Sequence, residues 1–351
     1  MSLQILRYSR PNAELRGMIS RLLTPAQLRG LAASPDLEGV LRLQLGTAYN
    51  EMARALLERG ASVTDAERSV VTSLVGDYLR AAAILGGAQG RLMVEIGRRL
   101  ELENLKTIIR AKARGESAEA VRPLLVHLGR LSDLPTEDLL RAEGVEALAR
   151  VLGWHHYGPV LRAAMPRFAA ERSLFPIEVA LDLHYYRRLW GAVQELPGQD
   201  RRIAEQMMGT RYDALNIEWI MRYRLVYRLP PEVIFNYTLP YGRRVTDEVI
   251  RRAALGDAAD TVVAALPEPY RSLLSGVPSL PDPLGGAEAI LQRHLVAAAR
   301  SALLGIPFQI GVALAFVGLK EAEVHDLRAI LEAKRYGRSA EETVSMLWSL
   351  A

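Results

Sequence analysis

One short pattern occurs three times along the chain. Each copy begins with Asn or Asp, places apolar residues at its second, fifth and sixth positions, and has a basic residue at its ninth. The copies are Asn104 to Lys112, Asn216 to Arg224 and Asp326 to Lys334, which begin 112 and 110 residues apart. Apolar spacings of three and four residues mark one face of a helix. Because the interval far exceeds a solenoid repeat, the pattern predicts triplication of a small helical domain.

Each copy of this signature is followed by signals for a helix end and a new helix. Gly115 and Gly337 occupy the same offset in the first and third copies, and glycine ends helices because it accepts a positive φ angle. A serine, a common helix cap, stands two residues after each of them. In the second copy Pro230-Pro231-Glu232 supplies an equivalent break and restart. Three helix-turn-helix corners are therefore predicted.

Composition and periodicity favour an all-α fold. Ala, Leu, Arg and Glu dominate the 351 residues, and amphipathic helical windows such as 66–80 and 179–196 recur. We divide the chain into three helical units, each with one signature helix, over residues 1–150, 151–265 and 266–351. The third opens with a proline-rich segment that we interpret as a linker or irregular loop.

The segment 301–319 contains no charged residue and approaches the length of a membrane span. Gly305, Pro307 and Gly311 interrupt it, and no second segment resembles it. We therefore expect a buried core helix. The chain has no Cys and does not open with a secretion signal, which favours a cytoplasmic location.

The sequence offers little support for catalysis. Residues 86–90 read Gly-Gly-Ala-Gln-Gly, but no Lys-Ser or Lys-Thr follows, so we expect a helix kink or turn rather than a phosphate loop. His155 and His156 are adjacent, and in a helix their rings would point to different faces and could not share a metal ion. Acidic pairs such as Glu101 with Glu103 are typical of a helix surface. We predict no catalytic, cofactor-binding or metal site.

The charge pattern leaves two questions open. The net charge is +4 with almost all basicity from Arg, and the four lysines all lie in or beside a signature copy: Lys106, Lys112, Lys320 and Lys334. Either these positions require an ammonium group or the clustering is chance. The basic pI of about 9.3 also keeps a general helical scaffold or a nucleic-acid-binding protein as an alternative. Alternating acids and bases indicate a solvated mixed-charge surface instead.

Further residues fall into a recognisable order along the whole chain. They are Leu22-Leu23, Tyr49, Glu103 to Lys106, Arg110, Pro176 to Glu178, Asp182, Tyr185-Tyr186, Pro307-Phe308, Lys320 to Val324 and Asp326 to Arg328. Together with the triplication, this order resembles the family of the central-stalk C subunit of V-type and A-type rotary ATPases, whose eukaryotic counterpart is the d subunit of the vacuolar ATPase. The third copy departs from the others with Asp326 for Asn and with Glu332 where they carry Arg.

The resemblance implies three similar helical bundles arranged with pseudo-threefold symmetry as a funnel. It implies a non-catalytic rotor subunit without a cofactor, which couples the D–F shaft to the membrane proteolipid c-ring. Transport of protons or sodium would thereby be linked to ATP hydrolysis or synthesis. We expect no nucleic-acid partner and a peripheral position on the cytoplasmic face of the membrane.

If the signature helices line the funnel, eight side chains are candidates for partner contacts: Asn104, Lys106, Arg110, Asn216, Glu218, Arg222, Asp326 and Arg328. Polar groups on such a surface would set fit and orientation. The same side chains could instead cap and pair helices inside each unit, and the sequence leaves both interpretations open for the Asn and Asp positions.

Overall fold

A computed structural model describes residues 2–60 and 62–350, and within these ranges the chain is mostly helical and contains no β-strand. The all-α prediction is confirmed. Single turns of 3₁₀ helix occur at Arg122–Leu124, Gly129–Leu131 and Val277–Ser279. The α-helices are α1 Ser2–Ile19, α2 Pro25–Ala33, α3 Leu37–Gln44, α4 Asn50–Glu58, α5 Val63–Leu85, α6 Gly87–Gly97, α7 Arg99–Ala113, α8 Ala118–Val121, α9 Thr136–Arg141, α10 Gly144–Val151, α11 Tyr157–Glu171, α12 Phe175–Gln194, α13 Gly198–Leu225, α14 Pro231–Asn236, α15 Asp247–Ala254, α16 Ala259–Ala264, α17 Tyr270–Leu273, α18 Pro283–Leu303, α19 Gly311–Arg335 and α20 Ala340–Met346.

The sequence repeat extends to the helices that precede the signature. The three copies lie on α7, α13 and α19, and a long helix comes before each of them: α5 before the α6–α7 pair, α12 before α13, and α18 before α19. These preceding helices begin at Val63, Phe175 and Pro283, which are 112 and 108 residues apart. The spacing matches that of the signature, so the repeated element is larger than the nine residues by which it was found.

Contacts group the chain into two compact units. Unit 1 comprises Met1–Leu74 and Pro197–Ala351, and unit 2 comprises Val75–Leu196. Within unit 1, α13 and α18 pack together and α19 packs against both, as well as against α1, α2 and α3. Within unit 2, α12 packs against α6, α7 and α11. The division into three units that we drew from the repeat stays a prediction.

The predicted helix-turn-helix corners are confirmed. Gly115 and Gly337 have φ angles of 72° and 62°, the left-handed conformation in which glycine has no steric penalty. The side chain of Ser117 caps the start of α8, and Ser339 does the same for α20 as part of a capping box. After the second copy, α14 begins at Pro231, where proline's missing N–H has no helical partner to lose.

The glycine run at 86–90 forms a turn, as expected. Gly86, with a φ angle of 63°, separates α5 from α6, and Gly87, with a φ angle of 52°, begins α6. A Cβ atom on Gly90 would lie 2.5 Å from the carbonyl oxygen of Ala82. The run therefore serves a turn between the helices and close backbone packing.

The uncharged segment differs from its prediction. The stretch 304–310 connects α18 to α19 without regular helix, and Leu304 and Ile306 are 89% and 63% exposed. Only the part from Ile310 to Val317 is buried as expected. Gly305 and Pro307 break the helix that hydropathy alone suggested. Among the described residues, no helix combines the length and apolar character that a membrane crossing requires.

The proline-rich segment is also more ordered than a linker. Its apolar side chains Leu266, Tyr270, Leu274 and Val277 are buried in unit 1. The hydroxyl of Tyr270 donates a 2.9 Å hydrogen bond to the carboxylate of Asp213 on α13. Pro269 and Pro283 stand at the starts of α17 and α18, and the apolar residues between the prolines pack on the core.

Candidate functional site

The first residue of the signature holds a downstream backbone segment in both of the Asn copies. The side-chain amide of Asn104 donates to the carbonyl of Val126 at 2.8 Å and accepts from its N–H at 3.0 Å. Asn216 makes the same two bonds to Leu239, both at 2.8 Å. Both side chains are buried. We call this arrangement the side-chain clamp.

The third copy contains the same clamp with different chemistry. The carboxylate of Asp326, which is fully buried, accepts from the N–H groups of Trp348 at 2.7 Å and Ser349 at 3.0 Å. A carboxylate offers only acceptors, whereas an amide offers a donor and an acceptor. Asp in place of Asn at this position therefore suits a backbone that presents two N–H donors.

The ninth residue of each copy donates to a carbonyl at the end of another helix. The bonds run from Lys112 to Leu140 at 2.6 Å, from Arg224 to Gly256 at 2.7 Å and from Lys334 to Ala32 at 2.6 Å. These carbonyls lie in the last turn of α9, just after α15 and in the last turn of α2. A helix C-terminus has unpaired carbonyls and a partial negative charge, and a cation satisfies both.

In unit 2 the third and seventh signature positions form ion pairs between α7 and α12. Lys106, whose side chain is 8% exposed, binds Asp182. One turn later, the guanidinium of Arg110 makes two bonds to Glu178, at 2.6 and 3.0 Å. Glu178 thereby raises the pKa of Arg110. Burial raises the pKa of Asp182 to about 6, although the charge of Lys106 acts in the opposite direction.

In unit 1 the equivalent third position joins α13 to α18. Glu218 accepts a 3.2 Å hydrogen bond from Gln292, which is 74 residues further along the chain. The separation is nearly the same in unit 2, where Asp182 lies 76 residues after Lys106. Burial raises the pKa of Glu218 to about 7, and the nearby charge of Glu288 adds to the effect. The two pairs occupy matching places in the repeat, but only the first is an ion pair.

The eight predicted partner-binding residues differ in accessibility. Asn104, Asn216 and Asp326 form the clamps, and Lys106, Arg110 and Glu218 bind side chains on a neighbouring helix. Arg222 on α13 and Arg328 on α19 are exposed. Within unit 1 the structure brings α13 and α19 into contact, and within unit 2 the first three candidates share α7. Their binding to a partner stays a prediction.

A buried polar cluster in unit 1 was not predicted from the sequence. Lys320 Nζ donates to Glu323 Oε1 and to the hydroxyl of Tyr49, each at 2.9 Å, and the same hydroxyl donates to Glu323 at 2.8 Å. The N–H of Leu23 donates to the other oxygen of Glu323. The signal was a Lys and a Glu three residues apart on a largely apolar helix. With Lys320 included, all four lysines of the chain make internal bonds, which favours a specific use of the ammonium over chance.

An open cavity of about 680 Å³ in unit 2 adjoins the glycine turn. Two of its arginines are paired with carboxylates: Arg91 with Glu195 and Arg188 with Glu95, both at 3.0 Å. A phosphate would have to compete with these carboxylates for the guanidinium groups. The cavity therefore gives little support to an enzyme that acts on phosphates.

The expectation that His155 and His156 diverge is wrong. Residues 152–156 form turns between α10 and α11 rather than a helix, so the two rings are not fixed on different helical faces. They lie close to Glu101 and Asp133 in unit 2. No local sequence pattern reveals this cluster, because its carboxylates precede the histidines by 22 residues or more.

These features define an all-α scaffold whose repeated helices are tied together by side-chain bonds. A family model described as ATP synthase (C/AC39) subunit matches residues 11–346. The chain belongs to this family.

The chain is also similar to several archaeal proteins, each named as the C subunit of an A-type ATP synthase. It is 24% identical to that of Methanocaldococcus jannaschii, over 100% of this chain and 88% of the relative. It is 26% identical to that of Methanothermobacter thermautotrophicus, over 95% and 85%. It is 25% identical to that of Thermococcus gammatolerans, over 92% and 85%.

Proposed function

We propose that this chain is a central-stalk rotor subunit of an A-type or V-type rotary ATPase. It couples the D–F shaft to the membrane proteolipid c-ring, links ATP hydrolysis or synthesis to proton or sodium transport, and has no active site of its own. It sits on the cytoplasmic face of the membrane, and its helices form the pseudo-threefold funnel of the family it resembles. The family match over residues 11–346 carries this proposal.

The internal bonds support a role that requires stiffness. A rotor adapter must transmit torque without yielding, and each signature helix is held along its length by a clamp and near its end by a bond to another helix terminus. Close-packed helical interiors resist deformation. The family match and this bracing together favour the rotor over the nucleic-acid alternative.

The exposure of the candidate residues suggests a division of roles. We assign the partner contacts chiefly to Arg222 and Arg328, which are exposed on signature helices. We assign the clamp residues Asn104, Asn216 and Asp326 to fixing backbone segments against the signature helices. We assign Lys106, Arg110 and Glu218 to fixing these helices against their neighbouring helices. Exposed charges at an interface act mainly on association rate and orientation.

Reconstitution tests the overall role. A complex assembled from the head, shaft, ring and this chain should pump ions in proportion to ATP hydrolysis. Omission of the chain should leave hydrolysis by the head intact and abolish pumping. Pumping that continues at the same ratio without the chain would contradict the proposal.

Charge reversal tests the assigned contacts. Arg222→Glu and Arg328→Glu should each slow association with the D–F shaft or the ring at low salt, and high salt should reduce the difference. Arg162→Glu, which changes an exposed arginine on α11, is the matched control. Equal association rates for all three variants and the wild type would remove both residues from the interface.

A further inference from the structure

Four metal-binding side chains converge in unit 2. Glu101 is on α7, Asp133 is in the loop before α9, and His155 and His156 are in the turn between α10 and α11. One nitrogen or oxygen atom from each residue lies within 4.8 Å of the corresponding atoms of the other three. Three separate chain segments thus meet at one point.

The cluster contains two buried polar atoms that lack a hydrogen-bond partner, Glu101 Oε1 and His156 Nε2. They face each other at 3.8 Å, which is too long for a hydrogen bond. The Glu101 side chain is 0% exposed, and its other oxygen accepts from the N–H of Asp133 at 3.2 Å. Unpaired buried groups are costly and uncommon, and a cation between the two atoms would satisfy both.

A third histidine orients the ring of His156. His156 Nδ1 lies 3.0 Å from His184 Nε2. When Nδ1 carries the proton and donates it to His184, the lone pair of Nε2 points towards Glu101. A metal-bound histidine is commonly held in this way through its second nitrogen.

We propose that Glu101, Asp133, His155 and His156 bind one divalent transition-metal ion of the zinc class. Two imidazoles and two carboxylates suit zinc better than magnesium or calcium, which prefer oxygen ligands alone. A tetrahedral zinc site places ligand atoms about 3.3 Å apart. The distances from His155 Nε2 to Asp133 Oδ1, 3.0 Å, and from His156 Nε2 to Glu101 Oε1, 3.8 Å, lie on either side of this value.

The surroundings allow a metal ion to enter and favour its charge. The Asp133 side chain is 63% exposed, so it can rotate to shorten the longer separations and leaves the cluster open to solvent. The two carboxylates carry two negative charges. Two guanidinium groups act on the cluster, Arg98, 3.8 Å from Asp133, and Arg188 near His156, but both are also paired with Glu95. A bound ion would cross-link α7 to the turn between α10 and α11, and would stiffen unit 2.

Zinc titration of the purified full-length chain, after treatment with a chelator, tests the site. Calorimetry should give one equivalent of Zn²⁺, and Co²⁺ in its place should give the visible absorption of a tetrahedral site. Glu101→Gln and His156→Gln should each weaken Zn²⁺ binding at least about tenfold, and His184→Ala by about 10- to 100-fold. His127→Gln, which changes an exposed histidine of the same unit, should bind as the wild type does.

Two results would overturn the proposal: no binding of Zn²⁺ by the wild type, or equal binding by Glu101→Gln, His156→Gln and the His127→Gln control. Circular dichroism shows whether each variant is folded. If one of the two ligand variants unfolds, the other still tests the site from its opposite side. Added Zn²⁺ should raise the melting temperature of the wild type but not of Glu101→Gln. Since no measurement involves the ATPase, a negative result here leaves the proposed function untouched.

Discussion

The clamps predict that Asn and Asp are not interchangeable between the copies of the signature. The substitutions Asn216→Asp and Asp326→Asn exchange the two chemistries without changing side-chain size. In the native chain, Asn216 satisfies one N–H and one carbonyl of Leu239, whereas Asp326 satisfies two N–H groups. Each exchange therefore leaves one backbone group facing the wrong kind of atom.

The cost can be estimated from burial. Asn216 and Asp326 are both 0% exposed, so water cannot replace the lost partner. An unsatisfied buried group costs about 1–3 kcal/mol, and a bond to a charged group is worth about 1.5–3 kcal/mol. We expect each exchange to lower the free energy of unfolding by about 2–3 kcal/mol. Asn104→Asp should behave as Asn216→Asp does, since it breaks the same pair of bonds.

Urea unfolding followed by circular dichroism measures the effect. Asn236→Asp provides the control, because this exposed residue ends α14 and its change should cost less than about 0.5 kcal/mol. The double variant Asn216→Asp with Asp326→Asn should lose roughly the sum of the single costs, because each clamp faces its own backbone. If the exchanges lower the free energy of unfolding no more than the control does, the clamp interpretation is refuted.

Two further predictions concern pH and helix capping. Glu218 has a pKa of about 7 in the folded chain against about 4.5 when unfolded, so the folded state binds more protons between these values and stability falls as pH rises through them. Glu218→Gln should remove this loss, so its urea midpoint should rise relative to that of the wild type as the pH is raised from about 5 to about 8. An equal difference between the two midpoints at both pH values would contradict the prediction. Lys334→Met removes the bond to Ala32 and should cost about 1–2 kcal/mol in thermal unfolding. Arg338→Met, at an exposed position, should cost less than about 0.5 kcal/mol.

Local patterns in the sequence were sufficient for the helix ends and restarts after the signature copies. Glycine, serine and proline signals act within a few residues, so Gly115, Ser117 and Pro231 could be assigned correctly. Hydropathy failed at 301–319 because it averages over residues, whereas a helix is broken by the individual Gly305 and Pro307. The breaker residues were visible there, but their effect was underestimated.

The partners of polar side chains could not be predicted in the same way. Nothing in the sequence says that Asn216 meets Leu239 or that Glu323 meets Tyr49, which lies 274 residues away. Such contacts depend on how helices pack, and packing is a property of the folded chain. The histidine pair is an example. It lies in turns instead of the expected helix, and both side chains are therefore near Glu101 instead of pointing apart.

The bond between Lys334 and Ala32 has a consequence for biosynthesis. The first two signature copies cap helices that follow them in the chain, but the third caps α2, which is synthesised some 300 residues earlier. Unit 2 is one continuous segment, whereas unit 1 combines residues 1–74 with residues 197–351, which are synthesised far apart in time. Until the last helices emerge, the amino-terminal helices carry apolar faces without their native cover. This interval is when the nascent chain is most exposed to aggregation and most in need of a chaperone.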